Sequence, residues 1–491
     1  MKLSSPFSIR ISAAPFPWFS ISLTGIFFAS LFLRFWGLGR FNALVFDEVY
    51  YAKYANNYLI GTQFEHAHPP LSTYIIAIGM WIGSHLPIGQ DMVNGFTGSL
   101  HSTWSYRWLN ALTGSFIPLV VAAIAYQLNR RRSYALIAAL FSAADGLFLV
   151  ESRYALNNVY LVIFGLLGQL FFLMALNQRK YWRWGFLALS GIFFGACVCI
   201  KWNGLWFLLG VYLVWVTAWL IKWRISSIGG QNLDPVQGKI SRSPLINLTQ
   251  LNLIHIIFNY GILPFATYSI LWIPQIKMNP NYSDFWELQK YILEFHEKVG
   301  SGTNVHPYCS KWYTWPLMIR PVAYFYQTAQ TIHEQVPAYP PLPSGVGKVI
   351  YDVHAMGNPI LYWLSTGAIL LLILLFIERL WLGAWGIFLP TTTNYMILYL
   401  VMNWLANLLP WVTVTRCVFL YHYMGSSVFS GLGLAWIIDR WLHGEQRQQQ
   451  IWAIIAIALI LIAFAWWLPI YLGLPLSPQG HKLRMWFDSW I

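Results

Sequence analysis

Residues 157–176 read NNVYLVIFGLLGQLFFLMAL, a run of 20 residues with no charged side chain. A helix of about 20 mostly apolar residues is long enough to cross the hydrocarbon core of a bilayer. The bias extends over the whole chain, because 57% of its 491 residues are hydrophobic and 10% are charged. A soluble domain has about 25% charged residues. This composition excludes a soluble enzyme, a disordered protein and a repeat solenoid, and it predicts an all-α polytopic membrane protein.

Ten further segments of similar character bring the predicted number of membrane-spanning helices to eleven. The first segment follows Lys2 and Arg10 as a signal peptide would, but it is long enough to span and we expect it to be retained. The predicted spans are 16–36, 107–127, 133–150, 157–176, 184–200, 204–222, 252–274, 357–377, 390–410, 417–438 and 451–473.

The charges of the short loops predict the orientation of these spans. Compact clusters of Lys and Arg at residues 130–132, 179–183 and 222–242 fall on one side of the membrane. By the positive-inside rule that side is cytoplasmic, and the C-terminus lies outside after an odd number of spans. The net charge of +13 is explained by these loops and by anionic lipid head groups, so we expect no nucleic-acid partner.

This topology leaves two large external segments and divides the chain into three predicted units. The N-terminal membrane module, 1–274, contains the first external loop, 37–106. Within that loop, Leu71–Leu86 is apolar but too short to span, and we expect it to lie along the interface. Residues 275–356 form an external lobe with room for a small helical unit, and the C-terminal membrane module occupies 357–491.

Two adjacent carboxylates, Asp47 and Glu48, stand shortly after the first span within the aromatic sequence FDEVYYAK. Charges at the edge of a membrane are costly and are commonly functional, although such pairs also occur in solvated loops. Burial in an aromatic-lined pocket raises the pKa of a carboxyl group toward the range of a general base. His66 and His68 follow, but an H-x-H pair on a loop is weak support for a metal site, and we predict none.

Near the external face the topology also places four cations at the ends of spans: Arg107, Arg153, Lys201 and Arg416. Each of them alone is explained by a side chain that reaches out to the interface. Together they suit an anionic group, such as a lipid phosphate held at the outer leaflet.

The sequence HPYCSKWYTWPLMIRP at residues 306–321 lies in the second external segment, and its three prolines exclude a continuous helix. Its aromatic residues fit a passive belt at the membrane surface or a stacking platform for a sugar or peptide. Four cysteines indicate no disulfide framework, and Cys197 and Cys199 lie in an apolar helix as packing residues. Cys309 and Cys417 fall on the same predicted side, but we expect them to remain unpaired.

Taken in order along the chain, these features resemble a known family. The segments that carry the resemblance are Asp47-Glu48, His68-Pro69-Pro70-Leu71, Tyr106-Arg107, Asp145-Gly146-Leu147, Ser152-Arg153, Lys201-Trp202 with Gly204, His306-Pro307-Tyr308, Trp315-Pro316-Leu317, Arg320-Pro321-Val322, Gly357-Asn358-Pro359, and Arg416 with Tyr421-His422-Tyr423. They are similar to the bacterial-type protein O-mannosyltransferases, which belong to the GT-C class of polyprenyl-phosphate-sugar-dependent transferases. The resemblance covers most of the chain.

The resemblance implies a GT-C fold and an inverting glycosyltransferase that moves mannose from a polyprenyl-phosphate carrier to Ser or Thr hydroxyls of translocated proteins. It implies a multi-pass protein of the inner (plasma) membrane, with its active site on the external or periplasmic side. Asp47 is the expected general base, and Glu48 is the second candidate or orients the acceptor. The four cations are expected to bind the donor phosphate, and no cofactor beyond the lipid-linked donor is expected.

The resemblance also implies further substrate-binding residues: His68, Asp145, His306, Tyr308, Trp315, Arg320, Tyr421 and His422. Two departures from the family pattern are visible. The chain has no room for the large β domain that fungal members carry between spans seven and eight. Asn158 stands where the family usually has an Asp, which bears on the substrate more than on the reaction class.

Two alternatives remain open from the sequence. The same fold could transfer a sugar to lipid A, a lipid or a cell-wall polymer. A transporter or channel could use intramembrane charges to line an ion path, but the charges here are predicted to cluster at one face.

Overall fold

The computed structural model describes residues 17–227, 244–279, 284–343, 345–384 and 391–491. The α-helices, in chain order, are α1 Trp18–Phe35, α2 Glu48–Ile60, α3 Leu71–Ser84, α4 Thr103–Asn129, α5 Arg132–Ala143, α6 Gly146–Glu151, α7 Asn158–Leu176, α8 Lys180–Val198, α9 Leu205–Ser227, α10 Leu253–Ile256, α11 Leu263–Leu271, α12 Ile273–Met278, α13 Phe285–Lys298, α14 Pro359–Ala384, α15 Thr392–Leu408, α16 Met424–Leu442, α17 Arg447–Leu472 and α18 Pro478–Lys482. The strands are β1 Val93–Phe96, β2 Ser99–Ser102, β3 Val322–Ala329 and β4 Val349–Ala355. A π-helical turn, Ile257–Ile262, joins α10 to α11, and 3₁₀ turns lie at Trp202–Gly204, Pro244–Gln250, Trp312–Leu317, Leu409–Thr413, Leu420–Tyr423 and Asp488–Trp490.

The predicted all-α membrane fold is confirmed. Within the described ranges, eight helices are long and apolar enough to cross a membrane: Trp18–Phe35, Thr103–Asn129, Asn158–Leu176, Trp202–Arg224, Leu253–Met278, Pro359–Trp381, Thr392–Thr413 and Arg447–Leu472. The other three predicted spans, 133–150, 184–200 and 417–438, are also helical over most of their length. The count of eleven spans stays a prediction, and Lys239 and Arg242 of the predicted cytoplasmic clusters lie outside the described residues.

The third predicted span is broken into two helices at Asp145. The Asp145 side chain accepts a hydrogen bond from the Leu147 amide at 2.9 Å and caps the N-terminus of α6. A side-chain acceptor at this position satisfies an amide that a new helix would otherwise leave unpaired. The break divides the span into α5 and α6 and turns Glu151, at the end of α6, toward the external loops.

Small residues allow the helices to pack closely around one continuous apolar core. Gly191 of α8 shows this most directly, because a Cβ atom there would lie 2.1 Å from the Asn259 carbonyl oxygen in the π-helical turn. Close backbone approach at small residues is typical of helix contacts in membranes. In the N-terminal half, α4 packs against α1, α3, α5 and α7, which brings the first external loop over the ends of these helices.

Both external segments are structured. The predicted interfacial helix is α3, and α2 and the β1–β2 hairpin complete the first segment. The second segment contains α13, as expected of a helical lobe, but also an antiparallel β3–β4 pair in which Val322 faces Ala355. The strand pair was not predicted from the sequence, although VAYFYQTA at 322–329 is rich in residues that favour strands.

The structure also corrects the expectation for the cysteines. Cys309 and Cys417 form a disulfide, with their Cα atoms 5.3 Å apart and 108 residues between them in sequence. Cys197 and Cys199 are buried free thiols, as expected of packing residues. The sequence could place the two paired cysteines on one side of the membrane, but their contact depends on tertiary folding.

Candidate active site

A cavity of about 390 Å³, called the outer cavity below, opens where the external loops meet the helix ends. Its walls come from four distant parts of the chain. The first external loop contributes His68, the turn after α8 contributes Lys201, α13 contributes His296, and the segment before α16 contributes Arg416 and His422. The fold thus brings together several residues that the sequence had suggested only separately.

Asp47 stands at the N-terminus of α2, directly after a residue with unusual backbone geometry. Phe46 has φ +51°, which is rare for a bulky side chain, and its ring stacks on Tyr324 at 4.1 Å. The Asp47 carboxylate is partly buried, and no described residue donates a hydrogen bond to it. Burial raises the pKa of Asp47 to about 6, although the positive charge of Lys201 opposes this. The side chain is therefore an unengaged carboxylate beside a cation, as a proton acceptor requires.

Glu48, the neighbour of Asp47, differs from it because its carboxylate is hydrogen-bonded within the protein. It is fully buried, and both of its carboxylate oxygens accept hydrogen bonds from Arg107, from Nε at 2.8 Å and from Nη2 at 2.7 Å. It also accepts from the amides of Val45 and Ala155, each at 2.8 Å. In this structure Glu48 has a structural role, and its place as the second candidate for the base, or as the residue that orients the acceptor, stays a prediction. This carboxylate anchors the start of α2 to the bundle and leaves no lone pair facing substrate.

The same contacts engage Arg107, which the sequence suggested as a ligand of the donor phosphate. Besides the two bonds to Glu48, its guanidinium donates to the carbonyls of Leu38 at 3.0 Å, Phe41 at 3.2 Å and Ala43 at 2.9 Å. An arginine has five N–H donors, and all five are occupied within the protein. In this structure Arg107 is a buried structural cation whose donors are all occupied within the protein, and its predicted contact with the donor phosphate stays a prediction.

Arg153 is also engaged by the backbone. Its guanidinium donates to the carbonyls of Leu33 at 2.7 Å, Arg34 at 3.1 Å, Trp36 at 2.8 Å and Gly37 at 3.0 Å. These are the carbonyls at the C-terminal end of α1, which a cation stabilises. Arg153 thus caps the first helix in this structure, and its predicted role in phosphate binding stays a prediction.

Lys201 remains beside the outer cavity and is held by a relay of polar side chains. Its Nζ donates to Asn158 Oδ1 at 3.0 Å, and Asn158 Nδ2 donates to Glu151 Oε2 at 3.1 Å. Tyr324 Oη donates to the other Glu151 oxygen. Burial lowers the pKa of Lys201, while Asp47 and Glu151 favour its charged form. Lys201 therefore lies between two carboxylates, one held through Asn158 and one free.

This relay accounts for Asn158 at a position where the family usually has an acid. An ionised Asp at residue 158 could not donate to Glu151, and two carboxylates in contact disfavour each other's ionisation. An amide can accept from Lys201 and donate to Glu151 at the same time. Glu151 itself was not selected from the sequence, although it immediately precedes the Ser152-Arg153 match, because its partners are distant in the chain.

Aromatic and imidazole side chains complete the outer cavity. The rings of His68 and His296 are 4.9 Å apart, and His422 lies 4.4 Å from the ring of Trp411. Burial lowers the pKa of His68 well below its usual range and that of His296 to about 4, with Lys201 and Arg416 adding to the effect. These imidazoles are therefore neutral near pH 7. His296 was not selected from the sequence, since it lies on an otherwise ordinary amphipathic helix.

The remaining predicted substrate-binding residues divide between the cavity wall and other places. Tyr421 lies under Lys201, with Nζ 5.4 Å from its ring centroid. Trp315 is 1% exposed and stacks on His422 at 5.9 Å, so it supports the wall and offers no open face for a sugar. Asp145 is away from this site, in a second and smaller cavity of about 20 Å³ that Tyr362 also lines. Neither side chain lines the outer cavity, and the predicted substrate contacts of Trp315 and Asp145 stay predictions.

His306, Tyr308 and Arg320 form a separate cluster in the second external segment. The Arg320 guanidinium carbon lies 5.7 Å from the Tyr308 ring centroid, and Arg320 Nε donates to the Pro307 carbonyl at 2.7 Å. The His306 ring contacts Phe419 at 5.0 Å. None of these three residues lines the outer cavity as described. The structure therefore gives them a place beside the site and not within it.

The described part of the chain offers few clusters of metal-ligating side chains. No group of three His, Cys, Asp or Glu side chains comes together there in a way that could hold an ion. The His66 ring bonds Thr73 at 2.6 Å and the His68 amide at 3.1 Å, so the H-x-H pair is not arranged as a chelate. The absence of a metal requirement stays a prediction.

Comparisons with known proteins agree with this architecture. Residues 24–268 match the family model described as dolichyl-phosphate-mannose-protein mannosyltransferase, and residues 281–490 match the C-terminal four-transmembrane region of protein O-mannosyltransferase. The chain is 22% identical to a polyprenol-phosphate-mannose–protein mannosyltransferase of Mycolicibacterium smegmatis, over 91% of this chain and 87% of that protein. It is 30% identical to protein O-mannosyl-transferase 1 of Mus musculus, over 44% of this chain and 29% of that protein.

A solved structure has the same fold. It is the S. cerevisiae protein O-mannosyltransferase Pmt1–Pmt2 complex bound to the sugar donor, with a TM-score of 0.75 and 14% identity, over 98% of this chain and 93% of the matched chain. The family models together extend over both membrane modules and over the residues that line the outer cavity. The chain therefore belongs to the protein O-mannosyltransferase family, a group of multi-pass membrane glycosyltransferases with the GT-C fold.

Proposed function

We propose that this protein transfers mannose from a polyprenyl-phosphate carrier to Ser or Thr hydroxyls of translocated proteins. The observation that carries the proposal is that Asp47, a carboxylate to which no described residue donates a hydrogen bond, interacts electrostatically with Lys201, which lines the outer cavity. The bacterial relative that covers most of the chain is named for a polyprenol-phosphate-mannose donor and a protein acceptor.

The reaction would proceed in one displacement. The acceptor hydroxyl oxygen attacks the anomeric carbon as Asp47 takes its proton, and the bond from that carbon to the phosphate oxygen breaks. The attack comes from the face opposite the leaving phosphate, so the configuration of the sugar is inverted. A positioned base is needed because a hydroxyl is a weak nucleophile, whereas phosphate leaves readily once its charge is stabilised.

Lys201 and Arg416 are the two cations that we propose for the leaving phosphate. Both line the outer cavity, whereas Arg107 and Arg153 are consumed by internal hydrogen bonds. Arg416 makes one side-chain hydrogen bond among the described residues, to the Cys417 carbonyl at 3.3 Å. Its other N–H groups are therefore available to phosphate oxygens, which a guanidinium binds well.

The proposed partners follow from this chemistry. They are the lipid-linked sugar, an acceptor protein or peptide and the bilayer that carries the polyprenyl tail, with no nucleic acid and no further cofactor. We propose that the protein is located in the inner (plasma) membrane, with the outer cavity on the external or periplasmic side. The positions of the basic loops support this orientation. Arg130–Arg132 join the C-terminus of α4 to the N-terminus of α5, whereas Asp47 and Lys201 lie toward the other ends of these helices.

We also retain the division into modules 1–274, 275–356 and 357–491 as a proposal. Asp47, Glu151 and Lys201 come from the first module, His296 from the second, and Arg416 from the third. The catalytic base and one proposed phosphate ligand would thus approach the donor from opposite halves of the chain.

The function is tested by incubating membranes that contain the protein with radiolabelled polyprenyl-phosphate mannose and a Ser/Thr-rich acceptor protein. We expect label in protein that is released by β-elimination, as an O-linked sugar is. Membranes lacking the protein are the control. Label confined to lipid would indicate the alternative acceptor class, and no label with folded protein present would contradict the proposal.

The transfer activity should fall as the pH is lowered, because Asp47, the proposed base, must be ionised to accept a proton. Burial raises the pKa of Asp47 to about 6. The value of kcat/KM is therefore expected to be half-maximal near that pH and to fall about tenfold for each further unit of acidification. The measurement is a pH profile of kcat/KM on protein shown to remain folded at each pH. A flat profile down to about pH 5 would contradict the role of Asp47 as base.

A further inference from the structure

Arg416 lies in a stretch of chain that has no regular secondary structure. It falls between the 3₁₀ turns Leu409–Thr413 and Leu420–Tyr423, where no helical hydrogen bonds fix the backbone. Its side chain is tied only to the carbonyl of the next residue, at 3.3 Å, among the described contacts. The position of its guanidinium in the outer cavity must therefore be set by whatever anchors the backbone on either side.

Apart from local bonds within residues 409–423, three restraints on this backbone lead to the second external segment. The Cys417 amide donates to the Gly300 carbonyl at 2.9 Å, and the Ser310 amide donates to the Val418 carbonyl at 2.9 Å. Between these two backbone bonds, Cys417 is joined covalently to Cys309. The disulfide thus connects the residue that follows Arg416 to the neighbouring segment of the chain that contains Cys309.

The other end of this covalent link is firmly held. The Cys309 amide donates to the His306 carbonyl at 3.0 Å. The neighbouring Ser310 hydroxyl accepts from Trp315 Nε1 at 2.8 Å, and Trp315 is 1% exposed. Cys309 therefore belongs to a turn fixed by a buried indole, and the bond passes this restraint to the segment that carries Arg416.

We propose that the Cys309–Cys417 disulfide is a positioning element of the donor site, which holds Arg416 where the donor phosphate binds. The inference rests on the proposed function for the identity of the phosphate. The bond forms when two thiols lose two protons and two electrons, and the electrons reduce the disulfide of a thiol–disulfide oxidoreductase on the external face. Reduction by a dithiol reverses this step, so donor binding becomes dependent on the redox state.

The test measures binding of polyprenyl phosphate, without sugar, to the purified full-length protein. The Cys309→Ser/Cys417→Ser variant is expected to bind about tenfold more weakly, as is the parent protein after treatment with dithiothreitol. This is the size expected for loss of a charge-assisted hydrogen bond. Arg416→Ala should show a similar loss that dithiothreitol does not increase. The KM for acceptor peptide should change little in all three cases.

The matched control is Cys197→Ala/Cys199→Ala, which keeps the external pair and removes the two buried thiols. This variant should bind polyprenyl phosphate with normal affinity. The affinity should fall when the protein is reduced and return when it is reoxidised. If the serine variant does not fold, this reversible cycle carries the test. Free, alkylatable thiols at both Cys309 and Cys417 in untreated protein, or unchanged affinity after reduction, would overturn the inference.

The assay is separate from transfer activity. A redox-dependent affinity for polyprenyl phosphate would support the positioning role even if no mannose were transferred, and the proposed function would then fail alone. Transfer to protein with a donor affinity that is indifferent to reduction would leave the function intact and reject the positioning role.

Discussion

Replacement of Asp47 by Asn is expected to lower the rate of mannosyl transfer by about 10²–10⁴-fold, the usual effect of removing a positioned general base. The amide keeps the size of the carboxyl group but cannot take the hydroxyl proton. No described residue hydrogen-bonds the Asp47 carboxylate, so the substitution breaks no contact that the structure contains. The measurement is single-turnover transfer at saturating donor and acceptor, and near-normal turnover in the Asn variant would exclude Asp47 as the base.

Stability and donor binding provide the controls for this variant. The pKa of Asp47 is raised to about 6 in the folded protein by burial, so between its usual value and that pH the folded state binds more protons than the unfolded state. Ionised Asp47 therefore lowers stability as the pH rises through this range. At neutral pH the Asn variant is expected to unfold at the same temperature as the parent or a higher one, and to bind polyprenyl phosphate normally.

The sequence was sufficient to predict features that depend on local composition. The length of an apolar run decides whether a helix can cross the membrane, and Leu71–Leu86, which contains α3, was predicted to lie along the interface because it is too short to span. The adjacent acids after α1 were located by the same reasoning about charge near a membrane. These predictions need no knowledge of which segments meet in the folded chain.

The roles of the four predicted cations could not be separated in this way. Each was expected at the external ends of the helices, but residue type does not show whether a guanidinium is already engaged. The carbonyls that bind Arg107 come from a turn more than 60 residues earlier in the chain, and those that bind Arg153 are more than 115 residues away. Arg416 lines the outer cavity because its own loop offers it few partners.

The same limit applies to Glu151 and to the disulfide. Glu151 bonds Tyr324 across 173 residues, and Cys309 bonds Cys417 across 108. The partners in each pair come into contact only when distant parts of the chain are packed together in the fold. The resemblance to a family supplied the reaction class, whereas the division between structural and substrate-facing charges required the fold.

Replacement of Arg107 by Ala is expected to destabilise the protein by about 3–5 kcal/mol, because it leaves the Glu48 carboxylate buried without its partner. Both side chains are fully buried, and the ion pair has an N···O distance of 2.7 Å. The measurement is thermal or denaturant unfolding in detergent, compared with Lys201→Ala. Lys201 faces the outer cavity, and its removal should instead weaken donor binding.

A double variant tests whether Arg107 is part of a structural ion pair or a ligand of the donor phosphate. In the double variant Glu48→Gln/Arg107→Met, both charges are absent, and much of the lost stability should return, since no charge is left buried alone. The folded fraction of either variant should bind polyprenyl phosphate with near-normal affinity, although transfer will fall if the turn that presents Asp47 shifts with its neighbour. An Arg107→Ala protein with normal stability and a specific loss of donor affinity would restore Arg107 to the phosphate site.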